Sequence, residues 1–232
     1  MSAFLFPPQA PISLPVVGTE ARFPVGRIFC VGRNYADHAA EMGAEVDREA
    51  PFFFLKSPHA LAESGGDIPY APATSDLHHE IEFVVALGAD AFRIDASAAM
   101  DTVFGYGCGL DMTRRDLQAR SKEKRLSWDT GKDFENAAIL TALTTKDDFG
   151  AIADQRIHLK VNGEDRQQGD LSQMIWSVPE LIADLSRMYH LRAGDLIMTG
   201  TPAGVGPVQP GDILRGGVES LTPLEVTITA PE

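Results

Sequence analysis

The chain has 232 residues, of which 44% are hydrophobic and 23% are charged. This is the composition of a globular protein with a sizeable core, and it excludes a disordered chain. The formal net charge is −13, and no cluster of Lys and Arg offsets it, which argues against nucleic-acid binding. No apolar run reaches membrane-spanning length and the first residues do not read as a signal peptide, so we expect a cytoplasmic protein without membrane association.

The N-terminal part is rich in proline, which disfavours helix. Residues 1–25 are therefore predicted to form an arm or irregular edge, and residues 26–232 a single domain. Residues 27–31 and 52–55 are apolar and predict two short strands, the second of them buried. The two cysteines, Cys30 and Cys108, lie inside apolar runs and are expected to be buried free thiols.

A short helix is predicted between Asn34, which can cap it, and Gly43, which can end it. His38 and Glu41 are three residues apart in this helix, so they share a face. A carboxylate beside a histidine can orient the ring as in a general base and its partner. The alternative is an ordinary surface pair with a small contribution to helix stability.

Residues 80–87 predict a strand, and Glu80 and Glu82 point to the same face because side chains alternate along a strand. Two carboxylates held this close repel each other unless a cation lies between them, and oxygen ligands favour a hard divalent metal. The alternative is a solvated strand face with two surface acids. His78 has the same periodicity and is a candidate fourth ligand, which would favour zinc or iron.

A Gly-rich apolar strand over residues 104–110 ends at Asp111, which completes a candidate triad with Glu80 and Glu82. The next helix is predicted from near Thr113 to residue 122. Its first turn carries Arg114 and Arg115, although the helix dipole disfavours cations at this end of a helix. A departure from this preference indicates a functional role for the two arginines. The following residues 128–135 are predicted to form a loop.

Further along the chain, Asn162-Gly163 predicts a hairpin turn between strands at residues 157–162 and 164–169. Residues 177–180 form a capping box that opens a helix to about residue 189. Several short strands with Gly-Asp turns follow. Together these elements predict a mainly β protein of the α+β class, with three or four short helices and one domain.

Several motifs occur together in one order. They are CVGRNYADH at residues 30–38, EIE at 80–82, GLDMTRRDLQ at 109–118 and TGTPAGVG at 199–206. With these motifs the chain resembles the fumarylacetoacetate hydrolase family. The sequence of residues 75–82 is most similar to that of the family members that hydrolyse fumarylpyruvate and other acylpyruvates. The resemblance implies a mixed β-sandwich roll, a homodimer, a role in aromatic catabolism, and Mg²⁺, with Mn²⁺ as the alternative.

The resemblance also implies roles for individual residues. It implies that Glu80, Glu82 and Asp111 are the metal ligands and that His38 and Glu41 activate water. It implies that Lys132 is catalytic and stabilises an oxyanion together with Gln118. The positions that match substrate-lining residues of the family are Arg33, Arg115, Gln118 and Thr201. A second cation for a fumaryl tail is left open among Arg33, Lys56 and Arg120.

The activity implied is hydrolytic C–C cleavage of a small 2,4-diketo acid to pyruvate and a carboxylic acid. Oxaloacetate decarboxylation, oxaloacetate tautomerisation and 2-hydroxyhepta-2,4-diene-dioate isomerisation are alternatives, because each needs only an enolate stabilised by the same metal. A non-catalytic metal-binding or interaction module is a third interpretation. It would predict that one of the candidate site residues is lost, and none is.

Overall fold

The computed structural model describes residues 4–41 and 48–232. Over these residues the chain forms many short strands, in the order β1 Ser13–Pro15, β2 Arg22–Pro24, β3 Ile28–Gly32, β4 Phe52–Lys56, β5 Leu61–Glu63, β6 Asp67–Pro69, β7 Leu77–His79, β8 Ile81–Leu87, β9 Val103–Asp111, β10 Thr113–Arg114, β11 Ala138–Leu140, β12 Thr144–Thr145, β13 Arg156–Val161, β14 Glu164–Asp170, β15 Leu196–Met198, β16 Gly206–Pro207, β17 Ile213–Val218 and β18 Leu224–Thr229. The α-helices are short and are α1 Ala36–Glu41, α2 Ala96–Ala99, α3 Arg115–Lys124, α4 Asp129–Lys132, α5 Lys146–Phe149 and α6 Val178–Met188. Short 3₁₀ helices cover Pro58–Ala60, Met100–Thr102 and Leu171–Gln173. The predicted mainly β fold with short helices is confirmed, although the described residues contain six α-helices where three or four were expected.

Within residues 4–41 and 48–232 the strands form one large sheet and three smaller ones. The large sheet has the order β4-β3-β15-β8-β9-β11-β5, with β12 also paired to β9. A five-stranded sheet has the order β14-β13-β17-β18-β6, a three-stranded sheet β10-β7-β16, and β1 pairs with β2. The strands β8 and β9 therefore lie in the middle of the large sheet, where both neighbours hold their backbone in place.

Both faces of β8 are buried, because apolar layers cover the large sheet on each side. Ile81, Phe83 and Val85 belong to the larger core, which also contains residues of the five-stranded sheet. Val84 and Ala86 belong to the second core on the opposite face. The alternation along the strand places Glu82 in the row of Val84 and Ala86, so a buried carboxylate stands where this apolar row ends.

The described part of the N-terminal segment contains the two short strands β1 and β2. Residues in and beside β1 and β2, namely Leu14, Val16 and Phe23, are buried and belong to the second core. Residues 14–23 thus contribute apolar burial to the sheet, and the predicted boundary between residues 1–25 and 26–232 stays a prediction.

Two local predictions rest on turn and cap chemistry, and both are confirmed. Asn162 and Gly163 have φ values of 54° and 85° and connect β13 to β14 in a hairpin. The Ser177 N–H donates to the Glu180 carboxylate at 2.8 Å at the start of α6.

Other local predictions differ from the structure. The strand β4 is an edge strand of the large sheet, and Phe52 and Leu55 are 44% and 42% exposed, so its prediction as a buried strand is wrong. Residues 128–135 contain α4 in place of a continuous loop. The helix α3 begins at Arg115, because residues 113–114 first pair with β7. The predicted end of α1 at Gly43 lies outside the described residues.

Cys30 and Cys108 are buried free thiols, as predicted. None of the helices in the described part of the chain has the length and apolarity that a membrane crossing requires.

Candidate active site

Three buried carboxylates meet at one end of the central strand pair. Glu80 lies between β7 and β8, Glu82 is the second residue of β8, and Asp111 is the last residue of β9. The antiparallel pairing of β8 with β9 continues through a bond from the Asp111 N–H to the Glu80 carbonyl at 2.9 Å. One oxygen from each of the three carboxylates lies within 4.8 Å of the others. The grouping expected from the strand periodicity is therefore present.

Basic side chains surround two of these carboxylates. The Lys132 ammonium donates to Glu80 at 2.9 Å and to Asp111 at 2.6 Å. Arg115 donates to the other Glu80 oxygen at 2.5 Å, which explains why a cation stands in the first turn of α3. On the far side, Lys56 Nζ lies 2.8 Å from the second oxygen of Asp111. Lys56 is fully buried, so its charge serves Asp111 rather than a substrate tail.

Glu82 has a different environment from the other two. Its carboxylate accepts the Gly200 N–H at 2.8 Å and has no ion pair within the described residues. Burial, followed by the Asp111 and Glu80 charges, raises the pKa of Glu82 well above its ordinary value. Burial also disfavours the charged form of Glu80, but Lys132 and Arg115 outweigh it and lower the pKa of Glu80.

This contrast provides a test of whether the three residues fit a metal ion. A divalent cation between the carboxylates would neutralise the charge that the protein leaves uncompensated at Glu82. The donor set consists only of oxygen atoms, which suits a hard ion such as Mg²⁺ or Mn²⁺. The residues present therefore fit the predicted metal.

The predicted base and its partner lie together on α1. His38 Nδ1 is 3.3 Å from the Glu41 carboxylate, which also accepts the Gly204 N–H at 3.1 Å. His38 is buried and lines the same pocket as the three carboxylates. The structure thus brings together two groups of residues that are about forty positions apart in the sequence.

The pocket also contains the other predicted side chains. Arg33, Arg115, Gln118, Lys132 and Thr201 all line it. Gln118 Oε1 accepts from Arg115 at 2.7 Å, so its amide N–H groups remain for a bound oxygen atom. Each of the residues predicted to contact substrate is therefore at the pocket wall.

His78 and Arg120 are placed differently. His78 Nε2 contacts Asp76 at 2.9 Å, and Nδ1 accepts from Arg115 at 3.4 Å, so this histidine stands outside the carboxylate cluster. It supports Arg115 rather than completing a His/carboxylate site. Arg120 is exposed and absent from the pocket wall.

Sequence reasoning missed five residues of the pocket wall, which are Val31, Gly32, Phe54, Lys122 and Trp128. Lys122 follows Gln118 by one helical turn, and this spacing was a usable signal. Its ammonium lies 5.0 Å from the centre of the Trp128 ring. Burial, with Arg115 and Arg33 nearby, lowers the pKa of Lys122.

The fold and the site define a class of protein, namely an enzyme built on a β-roll with a candidate all-carboxylate metal site beside a histidine–glutamate pair. A family model, fumarylacetoacetate (FAA) hydrolase C-terminal, matches residues 27–229. The chain belongs to the fumarylacetoacetate hydrolase family, which confirms the resemblance seen in the motifs. The predicted class of hydrolases acting on carbon–carbon bonds is confirmed as well.

Individual relatives are similar over most of their length. The chain is 44% identical over 194 residues to fumarylpyruvate hydrolase from Ralstonia sp, covering 82% of this chain and 100% of the relative. It is 42% identical over 205 residues to the mitochondrial oxaloacetate tautomerase of Homo sapiens, covering 88% and 92%. The crystal structure of fumarylpyruvate hydrolase from Pseudomonas aeruginosa in complex with Mn²⁺ and pyruvate superposes with a TM-score of 0.95 at 43% identity, covering 98% of this chain and 100% of that one.

Proposed function

We propose that this enzyme hydrolyses the C–C bond of a 2,4-diketo acid of the fumarylpyruvate type, with Mg²⁺ or Mn²⁺ held by Glu80, Glu82 and Asp111. The observation that carries the proposal is the single pocket that contains His38 and all three carboxylates. The relatives from Ralstonia and Pseudomonas support it, because both are fumarylpyruvate hydrolases and the second was crystallised with Mn²⁺ and pyruvate.

The metal, when bound, supplies Lewis-acid polarisation of the substrate's 2-oxo group and compensates the negative charge that develops there. Arg115 and Gln118 bind and orient the pyruvoyl end, and Thr201 forms part of the same pocket wall. Arg115 acts partly through Gln118, because its bond to Gln118 Oε1 directs the amide N–H groups towards the substrate. These contacts hold the 4-carbonyl carbon in place for attack by water.

His38 takes a proton from the attacking water, and Glu41 orients its ring. The water oxygen forms a bond to C4, and the resulting oxyanion is stabilised by Lys132 and Gln118. The C3–C4 bond then breaks, its electron pair remains on the pyruvate fragment as an enolate, and the other product is a carboxylic acid. The proton on His38 is returned to C3 to give pyruvate. Lys132 is suited to its role because its charge is secured: Asp111 and Glu80 outweigh burial and raise the pKa of Lys132.

The acyl side of the pocket favours a substrate with a second carboxylate. Four cations line the wall, and two of them, Lys132 and Arg115, are paired with site acids. The other two, Arg33 and Lys122, form no ion pair within the described residues. A distal carboxylate, as in a fumaryl group, would relieve the repulsion between these cations.

The charge-neutral variant Lys122→Met tests this side of the pocket. We expect kcat/KM for fumarylpyruvate to fall about tenfold or more while the value for acetylpyruvate changes little, since only the first substrate has a distal charge. Lys124→Met, on the exposed part of the same helix, is the matched control. An equal loss with both substrates would show that Lys122 does not read the distal carboxylate.

The reaction itself is tested by product analysis. Purified enzyme with Mn²⁺ or Mg²⁺ is incubated separately with fumarylpyruvate, acetylpyruvate and oxaloacetate. We expect pyruvate with fumarate from the first substrate, and smaller amounts of pyruvate with acetate from the second. No pyruvate from either acylpyruvate, at saturating metal, would contradict the proposal.

Oxaloacetate tautomerisation is the second candidate, because the relative from Homo sapiens with 42% identity is an oxaloacetate tautomerase. It requires proton transfer and no attack by water. A product of unchanged mass would indicate this activity or a diene-dioate isomerisation, whereas CO₂ with pyruvate would indicate decarboxylation.

We also propose a homodimer, as the family resemblance implies. The exposed Phe52 and Leu55 on the edge strand β4 support an apolar contact with a second copy. Light scattering coupled to size-exclusion chromatography should give twice the mass of one chain, and a monomeric mass at micromolar concentration would contradict this.

A further inference from the structure

One fully buried side chain in the five-stranded sheet has no role in the chemistry described above. Most residues of β14 are exposed and polar, but Gln167 is 0% exposed, between the exposed Arg166 and Gln168. The pairing of β13 with β14 shifts by one residue at this point, so Arg166 forms a β-bulge. Bulges redirect neighbouring side chains, and here Gln167 points into the interior.

The amide of Gln167 connects the strand that carries the metal ligands to the loop after β15. Its oxygen accepts the Ile81 N–H at 3.0 Å and the His79 Nδ1–H at 2.9 Å. Its nitrogen donates to Thr201 Oγ1 at 2.7 Å and to the Pro202 carbonyl at 2.8 Å. All four hydrogen-bonding positions of the amide are therefore used.

The partners determine which way the amide points. The Ile81 N–H can only donate and the Pro202 carbonyl can only accept, so the oxygen and nitrogen of Gln167 cannot exchange places. For the same reason the proton of His79 is on Nδ1. This position requires a side chain that accepts two hydrogen bonds at one atom and donates two at another. An apolar or acidic residue of the same size does not provide both.

These bonds close a ring around the residue between the two glutamate ligands. Ile81 donates to Gln167, Gln167 donates to Thr201, and Thr201 donates to the Ile81 carbonyl at 2.7 Å. The N–H and carbonyl of Ile81 are thereby both fixed by groups outside its own sheet. Because Glu80 and Glu82 are bonded to Ile81 on either side, the ring restrains the backbone that sets their separation.

The same loop reaches the other parts of the site. Gly200 donates to Glu82, and Gly204 donates to Glu41. A Cβ on Gly204 would lie 1.9 Å from the Arg166 carbonyl, so the loop can approach the bulge this closely only with glycine at that position. The bulge and Gln167 thus support the loop that contacts both the metal ligands and the base.

We propose that Gln167 is a positioning residue for the metal centre, which holds Glu80 and Glu82 at their ligand separation through the Ile81–Gln167–Thr201 ring. This inference rests on the proposed metal-dependent function. Groups that orient metal ligands from outside the coordination shell change metal affinity by about 10–100-fold when they are replaced.

The test measures Mn²⁺ affinity without substrate, from the electron paramagnetic resonance signal of free Mn²⁺. Gln167→Glu keeps the shape but places an oxygen against Pro202 and Thr201, and Gln167→Met removes all four hydrogen bonds. We expect Kd to rise at least about tenfold in both variants. The control is Gln168→Met on the same strand, where the side chain is exposed and bonds to Arg156 instead. Its Kd should equal that of the wild type.

Thermal melting in the absence of metal separates this effect from general damage. If either variant is too unstable to purify, Thr201→Val opens the same ring from the opposite side and should also weaken Mn²⁺ binding about tenfold. In the double variant with Gln167→Glu the two losses should be clearly less than multiplicative, because both break one ring.

The outcomes distinguish the two proposals. Unchanged Mn²⁺ affinity in folded Gln167 variants would overturn the positioning role and leave the proposed function intact. Normal Mn²⁺ binding by the wild type with no turnover of acylpyruvates would overturn the proposed function, while a weakened Gln167→Glu would still support positioning. No Mn²⁺ binding by the wild type would overturn both.

Discussion

The carboxylate cluster and the His38–Glu41 pair face the same pocket but are held in different ways. The cluster lies on the two central strands of the large sheet, and Glu80 and Asp111 are each held by ion pairs to two basic side chains. The pair lies on the six-residue helix α1, with one contact of 3.3 Å between its members and a backbone bond to Gly204. Glu41 is 36% exposed at its side chain and His38 is 8% exposed.

The difference agrees with the roles proposed for the two regions. Buried like charges require fixed partners, because an uncompensated charge in the interior is costly. In the proposed reaction His38 exchanges a proton with water, so its ring has to face the pocket, and it does so from the short helix α1. We infer that metal affinity and proton transfer are separable properties of this enzyme, and the following variants test that separation.

The largest effect is expected from Asp111→Asn. It removes one ligand charge and leaves Lys56 and Lys132 buried with a weaker partner, so Mn²⁺ affinity should fall together with activity. We expect kcat/KM to fall about 10⁴-fold, the size of the Lewis-acid contribution of a metal. Titration of Mn²⁺ and steady-state kinetics provide the two measurements, with the exposed Asp101→Asn as control. Retention of metal affinity within about twofold would show that Asp111 is not a ligand.

A smaller effect of a different kind is expected from His38→Ala. Without the base, kcat for acylpyruvate hydrolysis should fall about 10²–10³-fold. The Kd for Mn²⁺ should stay within about twofold of the wild type, because the cluster keeps its own partners. His59→Ala, an exposed histidine elsewhere, is the control. A parallel loss of metal affinity would break the distinction between the two regions, and near wild-type turnover would exclude His38 as the base.

The smallest effect concerns the pH dependence of stability in metal-free protein. Burial and the neighbouring carboxylates raise the pKa of Glu82 above its ordinary value of 4.5. The folded state therefore binds this proton more tightly than the unfolded state does. The stability that this bound proton gives to the folded state is fully present below pH 4.5. It is lost as the pH rises through the raised pKa of Glu82. Glu80 has a lowered pKa, so the change in stability caused by its titration lies at lower pH than the change caused by Glu82.

Urea denaturation of the EDTA-treated protein measures this effect. Between about pH 5 and pH 8, the wild type should lose more stability than Glu82→Gln, which has no proton to release. Added Mn²⁺ should stabilise the wild type at the higher pH and have less effect on the variant. Equal pH profiles for the two proteins would show that Glu82 is not the uncompensated charge of the cluster.

Several parts of the site could be predicted because they depend on short spacings. The alternation of a strand placed Glu80 and Glu82 on one face, and the helical spacing placed His38 beside Glu41. The Asn162–Gly163 hairpin was predictable from the left-handed backbone conformation that its turn requires. The exposure of β4 was not predictable, because an apolar run reads the same at the edge and in the centre of a sheet.

The sequence by itself was enough to identify the candidate site residues whose arrangement depends on near neighbours in the chain, and to identify the family motifs in their order. Only the tertiary structure decided that Lys56 compensates Asp111, that Glu82 has no ion pair among the described residues, and that Gln167 joins two sheets beside the carboxylate cluster. Lys56 and Asp111 are 55 positions apart in the sequence, and Gln167 is 86 positions from Ile81 and 34 from Thr201. The charge balance of a buried site and the direction of a buried amide are properties of the packed interior. Local sequence periodicity does not predict these two properties, because they arise only when distant strands are brought together and water is excluded.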